Sequence, residues 1–256
     1  MKRSKIWRIL ILVFCLTVTL NLLGITTFPV KVKCPICGEE NEFFEYASWG
    51  SYVYQWPSKF QMVFWPHTYS TSMYICKRCH YTTWMWDFKD ARPEKTADLR
   101  KILSEFSDVP KFDKYGKVPM SVRLGIAERV YQTLGRDDEF WSHFYRVQGY
   151  YLALEKKTEA AKQARGKARD LLVQLAQDPK QAPHKKQFLV SLAAMQHFLS
   201  DDQAALETLA KAKKETFTDP EKDVHGYDQY LNQLIDEYIE KIKSHSVPAD
   251  DQNESS

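Results

Sequence analysis

A chain of 256 residues, 44% hydrophobic and 27% charged, carries enough apolar material for one large domain or two small ones. Its formal net charge of +3 is too small for the basic face that nucleic-acid binding demands, so no nucleic-acid partner is expected. Tryptophans are unevenly spread: Trp49, Trp56, Trp65, Trp84 and Trp86 fall in one short stretch, and none lies beyond Trp141. That shift in composition predicts two differently built regions.

The chain opens with Lys2, Arg3, Lys5 and Arg8, followed by an apolar run from Ile9 to Ile25 that only Thr17, Thr19, Asn21 and Gly24 interrupt. A basic start ahead of an apolar stretch describes a signal anchor or a secretory signal peptide. The run is about the minimum that spans a bilayer, and Leu22-Leu23-Gly24-Ile25-Thr26-Thr27 offers no small-x-small cleavage site, which favours an uncleaved anchor. Phe14, just before Cys15, argues against a lipoprotein attachment site. A buried core helix is the third reading, and the basic cluster ahead of the run speaks against it. Four cations before the run, against Lys31 and Lys33 and then Glu39, Glu40, Glu42 and Glu45 after it, keep the N-terminus cytoplasmic and export the rest.

Next come two C-x2-C pairs, Cys34-Pro35-Ile36-Cys37-Gly38 and Cys76-Lys77-Arg78-Cys79-His80. Two intervening residues turn the chain so that both sulfurs of a pair point one way, and two such knuckles complete a tetrahedron around one Zn²⁺. Gly38 suits the tight turn; His80, at the equivalent place, is a residue that tolerates positive φ. Four thiolates leave the site at −2, which Lys33, Lys77 and Arg78 are placed to offset. With all four positions filled by sulfur the zinc is structural, one ion per chain, and Cys34, Cys37, Cys76 and Cys79 are its ligands. Two alternatives remain open: disulfides in an oxidising compartment, and thiol-disulfide chemistry at Cys34 and Cys37, since Cys-Pro-x-Cys also opens helices in thioredoxin-like enzymes. The second leaves Cys76 and Cys79 unexplained. His67 and His80 could replace a ligand, though complete cysteine pairs make that unnecessary.

Between the knuckles, Ser51-Tyr52-Val53-Tyr54-Gln55-Trp56 alternates with the period of a half-buried strand, with Pro57 and Pro66 as turns. Tyr81 to Trp86 predicts another strand. So small a β head needs more than apolar burial to fold, and zinc meets the deficit. Its rings are either the core of that head or a surface for sugars, lipid interface or peptides.

From about residue 95 the period becomes 3.6. Met120, Leu124, Ala127, Tyr131 and Leu134 form one stripe, closed by Gly135. Asp137 and Asp138 cap a second helix; Thr158 opens a third that ends before Pro179; Pro183 starts a fourth; Asp201 or Asp202 caps a fifth; Tyr227 to Ile242 carries a sixth. Leu189 to Pro220 resembles a tetratricopeptide repeat, with Leu189, Leu192 and Ala193 on its first helix and Ala205, Leu209 and Ala212 on its second. The basic stretch from Lys156 to Arg169 reads as a solvated face. His143, His184, His197, His225 and His245 have no partners at ligand spacing, and no catalytic motif is present in the helical region.

Cys34-Pro-Ile-Cys-Gly, Pro66 and Tyr69 before the second knuckle, Cys79-His-Tyr81, and Arg123-Leu-Gly-Ile-Ala-Glu-Arg-Val-Tyr131 ahead of the repeat together resemble the bacterial family catalogued as domain of unknown function 2225. The resemblance implies a zinc-ribbon head fused to tetratricopeptide-like helices, with no established activity. His80 in place of glycine and the apolar N-terminus depart from that pattern.

The expected fold is α+β and mostly α. A signal anchor or signal peptide occupies 1–30, a four-cysteine zinc-ribbon β head 31–92, a tetratricopeptide-like array of antiparallel helices 93–244, and a disordered polar tail 245–256. The expected role is that of a non-enzymatic scaffold in the bacterial inner membrane, single-pass with its main domain exported, binding a protein or peptide through its helices. The alternatives are an exported thiol oxidoreductase, an envelope glycan-binding module, and a periplasmic form released by signal cleavage.

Overall fold

Strand β1 (Thr26–Lys33) pairs antiparallel with β2 (Glu40–Ser48), setting Val30 opposite Phe43 and Val32 opposite Asn41. Alternation turns Val32, Asn41 and Phe43 into the core and leaves Lys31, Lys33, Glu40 and Glu42 in solvent. This computed structural model describes residues 25–48, 56–63, 66–90, 93–219 and 226–244. Because β1 begins at Thr26, the head starts within the stretch assigned by sequence to the membrane segment. The rest of the apolar run, most of the strand expected at 51–56, Trp49, Trp65 and the polar tail lie outside the described residues.

A second ribbon joins β3 (Met73–Ile75) to β4 (Thr82–Trp84), preceded by α1 (Pro66–Ser72). The strand expected to reach Trp86 stops at Trp84. There the Met85 N–H donates to the Ser72 carbonyl at 2.7 Å and the Asp87 N–H to that of Trp84 at 3.0 Å, turning the chain. Trp84 is therefore buried while Trp86 stacks on it from outside, 60% exposed. Pro66, expected only as a turn, opens α1, where the missing N–H costs nothing. Phe43 stacks on Tyr74 with centroids 4.0 Å apart, and Phe88 and Tyr115 close the cluster edge-on at 4.9 and 5.1 Å. Most described rings of the head are thus core; Tyr46 and Trp56 are half-buried, and Phe28, Phe44 and Trp86 are exposed.

Helices follow: α2 (Thr96–Leu103), α3 (Met120–Leu134), α4 (Asp138–Leu154), α5 (Thr158–Gln177), α6 (Lys185–Phe198), α7 (Asp202–Ala212) and α8 (Tyr227–Lys243). Their ends follow capping chemistry. Gly135 takes φ +74° after α3, the Asp137 carboxylate accepts the Phe140 N–H, and that of Asp201 accepts the Ala204 N–H. Pro179–His184 forms a 3₁₀ turn, so the helix expected from Pro183 begins at Lys185. Leu192, Ala193, Ala205, Leu209 and Ala212 are all buried where α6 and α7 pack as a hairpin. Gly149 permits the equivalent approach of α4 and α5: a Cβ there would lie 2.8 Å from Arg165 Cγ.

Head and helices share one core. Helix α3 packs on β3, β4 and α2, where the Tyr131 hydroxyl accepts the Trp84 N–H at 2.9 Å and donates to Asp87 at 2.6 Å. Three buried arginines bind the head from successive helices. Arg123 on α3 donates to the Ser70 and Met73 carbonyls, Arg146 on α4 to those of Gln61 and Met62, and Arg165 on α5 to the Gln61 side-chain oxygen at 3.2 Å. This corrects the reading of Lys156 to Arg169 as a wholly solvated face. Lys162, Lys167 and Arg169 do reach solvent, but Arg165 is 2% exposed and lies over the Phe198 ring.

Candidate metal centre

Each C-x2-C segment folds by the same pair of backbone bonds. In the first, the Gly38 N–H reaches the Cys34 carbonyl at 2.9 Å and the Cys34 N–H reaches that of Glu39 at 2.8 Å. In the second, His80 N–H to Cys76 carbonyl is 3.0 Å and Cys76 N–H to Tyr81 carbonyl is 2.9 Å. This turn needs positive φ at its last residue, which Gly38 takes at +76° and His80 at +60°. Histidine meets the requirement with a compensating bond, its Nδ1 lying 3.0 Å from the Phe106 carbonyl. That contact turns the His80 ring to the chain after α2 and gives it a bracing role; the His67 side chain is outside what is described.

The two knuckles meet with the sulfurs of Cys34, Cys37, Cys76 and Cys79 all within 4.8 Å of one another. Cys34 to Cys79 and Cys37 to Cys76 are both 3.6 Å, well beyond a disulfide bond of about 2.05 Å. Tetrahedral bonds of about 2.3 Å to one ion would set neighbouring sulfurs about 3.8 Å apart, so four-sulfur metal geometry fits. Charge makes the same point. A hydrogen bond to Cys34 leads those holding the Cys76 thiol far below its ordinary range, while its hydrogen bond to Cys76 pushes Cys34 up to about 12 and Cys79 is raised further by its bonds to Cys34 and Cys76. Thiolates packed this closely repel one another, and a cation among them would offset that repulsion.

Around the sulfurs stand groups that motif spacing alone does not reveal. Asn41 on β2 spans both knuckles: its amide donates to the Glu39 carbonyl at 3.0 Å and lies 3.6 Å from Cys76 Sγ, while its oxygen accepts the Lys77 N–H at 2.9 Å. The signal was present in the sequence as a polar residue on the inward phase of a strand. Arg100 on α2 donates to the Ile36 carbonyl at 3.0 and 3.3 Å, and Lys77 pairs with Glu39 at 3.1 Å. Cys34 and Cys76 are buried, whereas Cys37 and Cys79 border an open groove of about 980 Å³ that Arg78, Arg100 and Lys111 also line.

No protein family, curated protein or solved structure matches the chain. The centre is therefore assigned on its own geometry: a four-cysteine cluster compatible with a metal ion, in a mostly helical α+β protein.

Among the described residues no helix is long and apolar enough to cross a membrane, and the run from Ile9 lies outside them. The helical region holds a second feature. An open groove of about 550 Å³ runs between α5, α6 and α7, with Val173, Ala176, Leu189 and Leu192 as apolar wall and Gln196, Thr208 and Lys211 as polar wall. The Gln196 side-chain oxygen is buried there without a hydrogen-bond donor.

Proposed function

We propose that this chain is a membrane-anchored, non-enzymatic scaffold: a zinc-ribbon head, held by one structural Zn²⁺ on Cys34, Cys37, Cys76 and Cys79, braces tetratricopeptide-like helices that hold a peptide of a partner protein. The resemblance to the domain of unknown function 2225 family is part of this reading. The observation that carries it is the groove between α5, α6 and α7, whose apolar wall of Val173, Ala176, Leu189 and Leu192 beside polar Thr208 and Lys211 suits a peptide that brings an apolar side chain. Support for a structural role of the metal comes from the ligand set, since four sulfurs leave no position for a reacting water. Support for a scaffold over a thiol oxidoreductase comes from Cys34, which is buried in a turn between two strands and does not open a helix. The burial of most head rings likewise favours packing over glycan binding.

The test is cross-linking in native membranes with the full chain, comparing wild type with Val173→Arg, which fills the groove at a half-buried position. A defined partner captured by the wild type and lost in the variant, with metal content and helicity unchanged, supports the reading. Identical capture by both, or none by either, overturns it.

A further inference from the structure

The β1–β2 hairpin has two unlike ends. Its closed end, at the first knuckle, carries Lys31, Lys33, Glu40 and Glu42. Its open end, where Thr26 Oγ1 meets Ser48 Oγ at 2.5 Å, has no charged residue on β1 from Thr26 to Val30 and one on β2, Glu45, which Lys89 approaches to 4.0 Å. Two of the exposed large apolar side chains of the described protein sit here, Phe28 at 42% and Phe44 at 37%. They are on opposite faces of the ribbon, because Phe28 pairs with Glu45 and Phe44 with Pro29. Packing against a single protein partner would hide one face; a ribbon with a ring on each face fits a medium that surrounds it. Phe44 also borders a cleft of about 340 Å³ lined by Lys114, by the Lys117–Asp113 ion pair and by Glu42.

The occupant follows from where the chain comes from. The apolar run ends at Ile25, and Phe28 is three residues on, about 10 Å along an extended strand. A segment leaving the hydrocarbon at Ile25 puts the open end of the hairpin in the headgroup layer, where aromatic rings are favoured at the boundary of the two phases. We propose that Phe28 and Phe44 form an interfacial foot, seated at the headgroup–acyl boundary of a phospholipid bilayer, that stands the head upright on the membrane. This rests on the anchored reading above, and the test separates the two.

Native full-length chain is reconstituted in phosphatidylethanolamine–phosphatidylglycerol vesicles that contain a phospholipid with a photoactivatable acyl chain, and the labelled peptides are mapped by mass spectrometry. The foot predicts label on the Phe28 and Phe44 peptides in addition to the Ile9–Ile25 run, and a several-fold loss from the hairpin alone in the Phe28→Ser/Phe44→Ser variant. Label confined to the run overturns the foot and leaves the anchor standing. Label on the hairpin without the run supports the foot as a peripheral contact and removes the anchor. Vesicles that label neither segment overturn both.

Discussion

The head over residues 26–90 rests on two strand pairs, one only three residues a side, whereas the helices beyond Met120 run from 11 to 20 residues and pack neighbour on neighbour. Ribbons that short do not stand alone in water. Two features bear on that deficit: a four-sulfur cluster compatible with a metal ion where the knuckles meet, and arginines of α3 to α5 that satisfy head carbonyls. Helices α4 to α7 pack on one another, and they also lean on the head, where Phe60 packs on Phe198 and Tyr238 and where the buried Arg146 and Arg165 find their acceptors on Gln61 and Met62. The two regions therefore differ in what holds them: helix-on-helix packing beyond Met120, and short ribbons around a sulfur cluster in the head.

That asymmetry gives an ordered set of expectations. Cys76→Ser removes a buried sulfur and with it the four-ligand site. It is expected to cost the head on the order of 5 kcal/mol or more, seen as loss of the near-ultraviolet aromatic signal while far-ultraviolet helicity largely persists. Equal loss of both signals would show that the helices depend on the sulfur cluster too. Arg146→Ala is next. It strips donors from the Gln61 and Met62 carbonyls and empties a fully packed site, so urea denaturation should report a loss of roughly 3 kcal/mol. Metal content should stay at wild-type level, because the knuckles do not touch Arg146.

The smallest effect is a pH dependence at the same joint. His143 donates from or accepts at Nε2 with the Tyr69 hydroxyl at 3.0 Å, and burial, then the Arg146 charge, pushes its pKa down to about 3. Unfolded histidine titrates near 6.5. Its folded pKa is depressed, so between those values the unfolded chain binds the extra proton and stability falls as pH drops below about 6.5. At pH 5 the loss from this group is about 2 kcal/mol. His143→Gln, which keeps a hydrogen-bonding side chain and no titration, should narrow the gap between urea midpoints at pH 7 and pH 5. An unchanged gap would place the acid sensitivity elsewhere, for instance at the thiolates.

The helices from α3 on were legible because their signals are local: a period of 3.6, Asp137 and Asp201 at the caps, Gly135 at an end; the short α2 was not among those expected. The four cysteines were legible because knuckle spacing is local too. Helix α1 was not, since Pro-His-Thr-Tyr-Ser-Thr-Ser has no apolar period and is helical only where Thr71, Ser70 and Thr68 carbonyls meet distant hydroxyls and Arg123. Nor were the buried arginines legible. A guanidinium that ends on carbonyls some 50 to 85 residues away looks, in sequence, like any other surface cation. Asn41 stands between these cases, readable as polar on an inward phase but assignable to the metal centre only once Cys76 and Lys77 are beside it.

The central claim, that the four cysteines bind one zinc and so hold the head together, is tested most directly by metal analysis with a thiol count on protein taken from its own compartment. One zinc per chain is expected, with Cys34, Cys37, Cys76 and Cys79 becoming reactive thiols, and the head unfolding, when a chelator removes it. Protein that contains no metal and carries those cysteines as disulfides would contradict it.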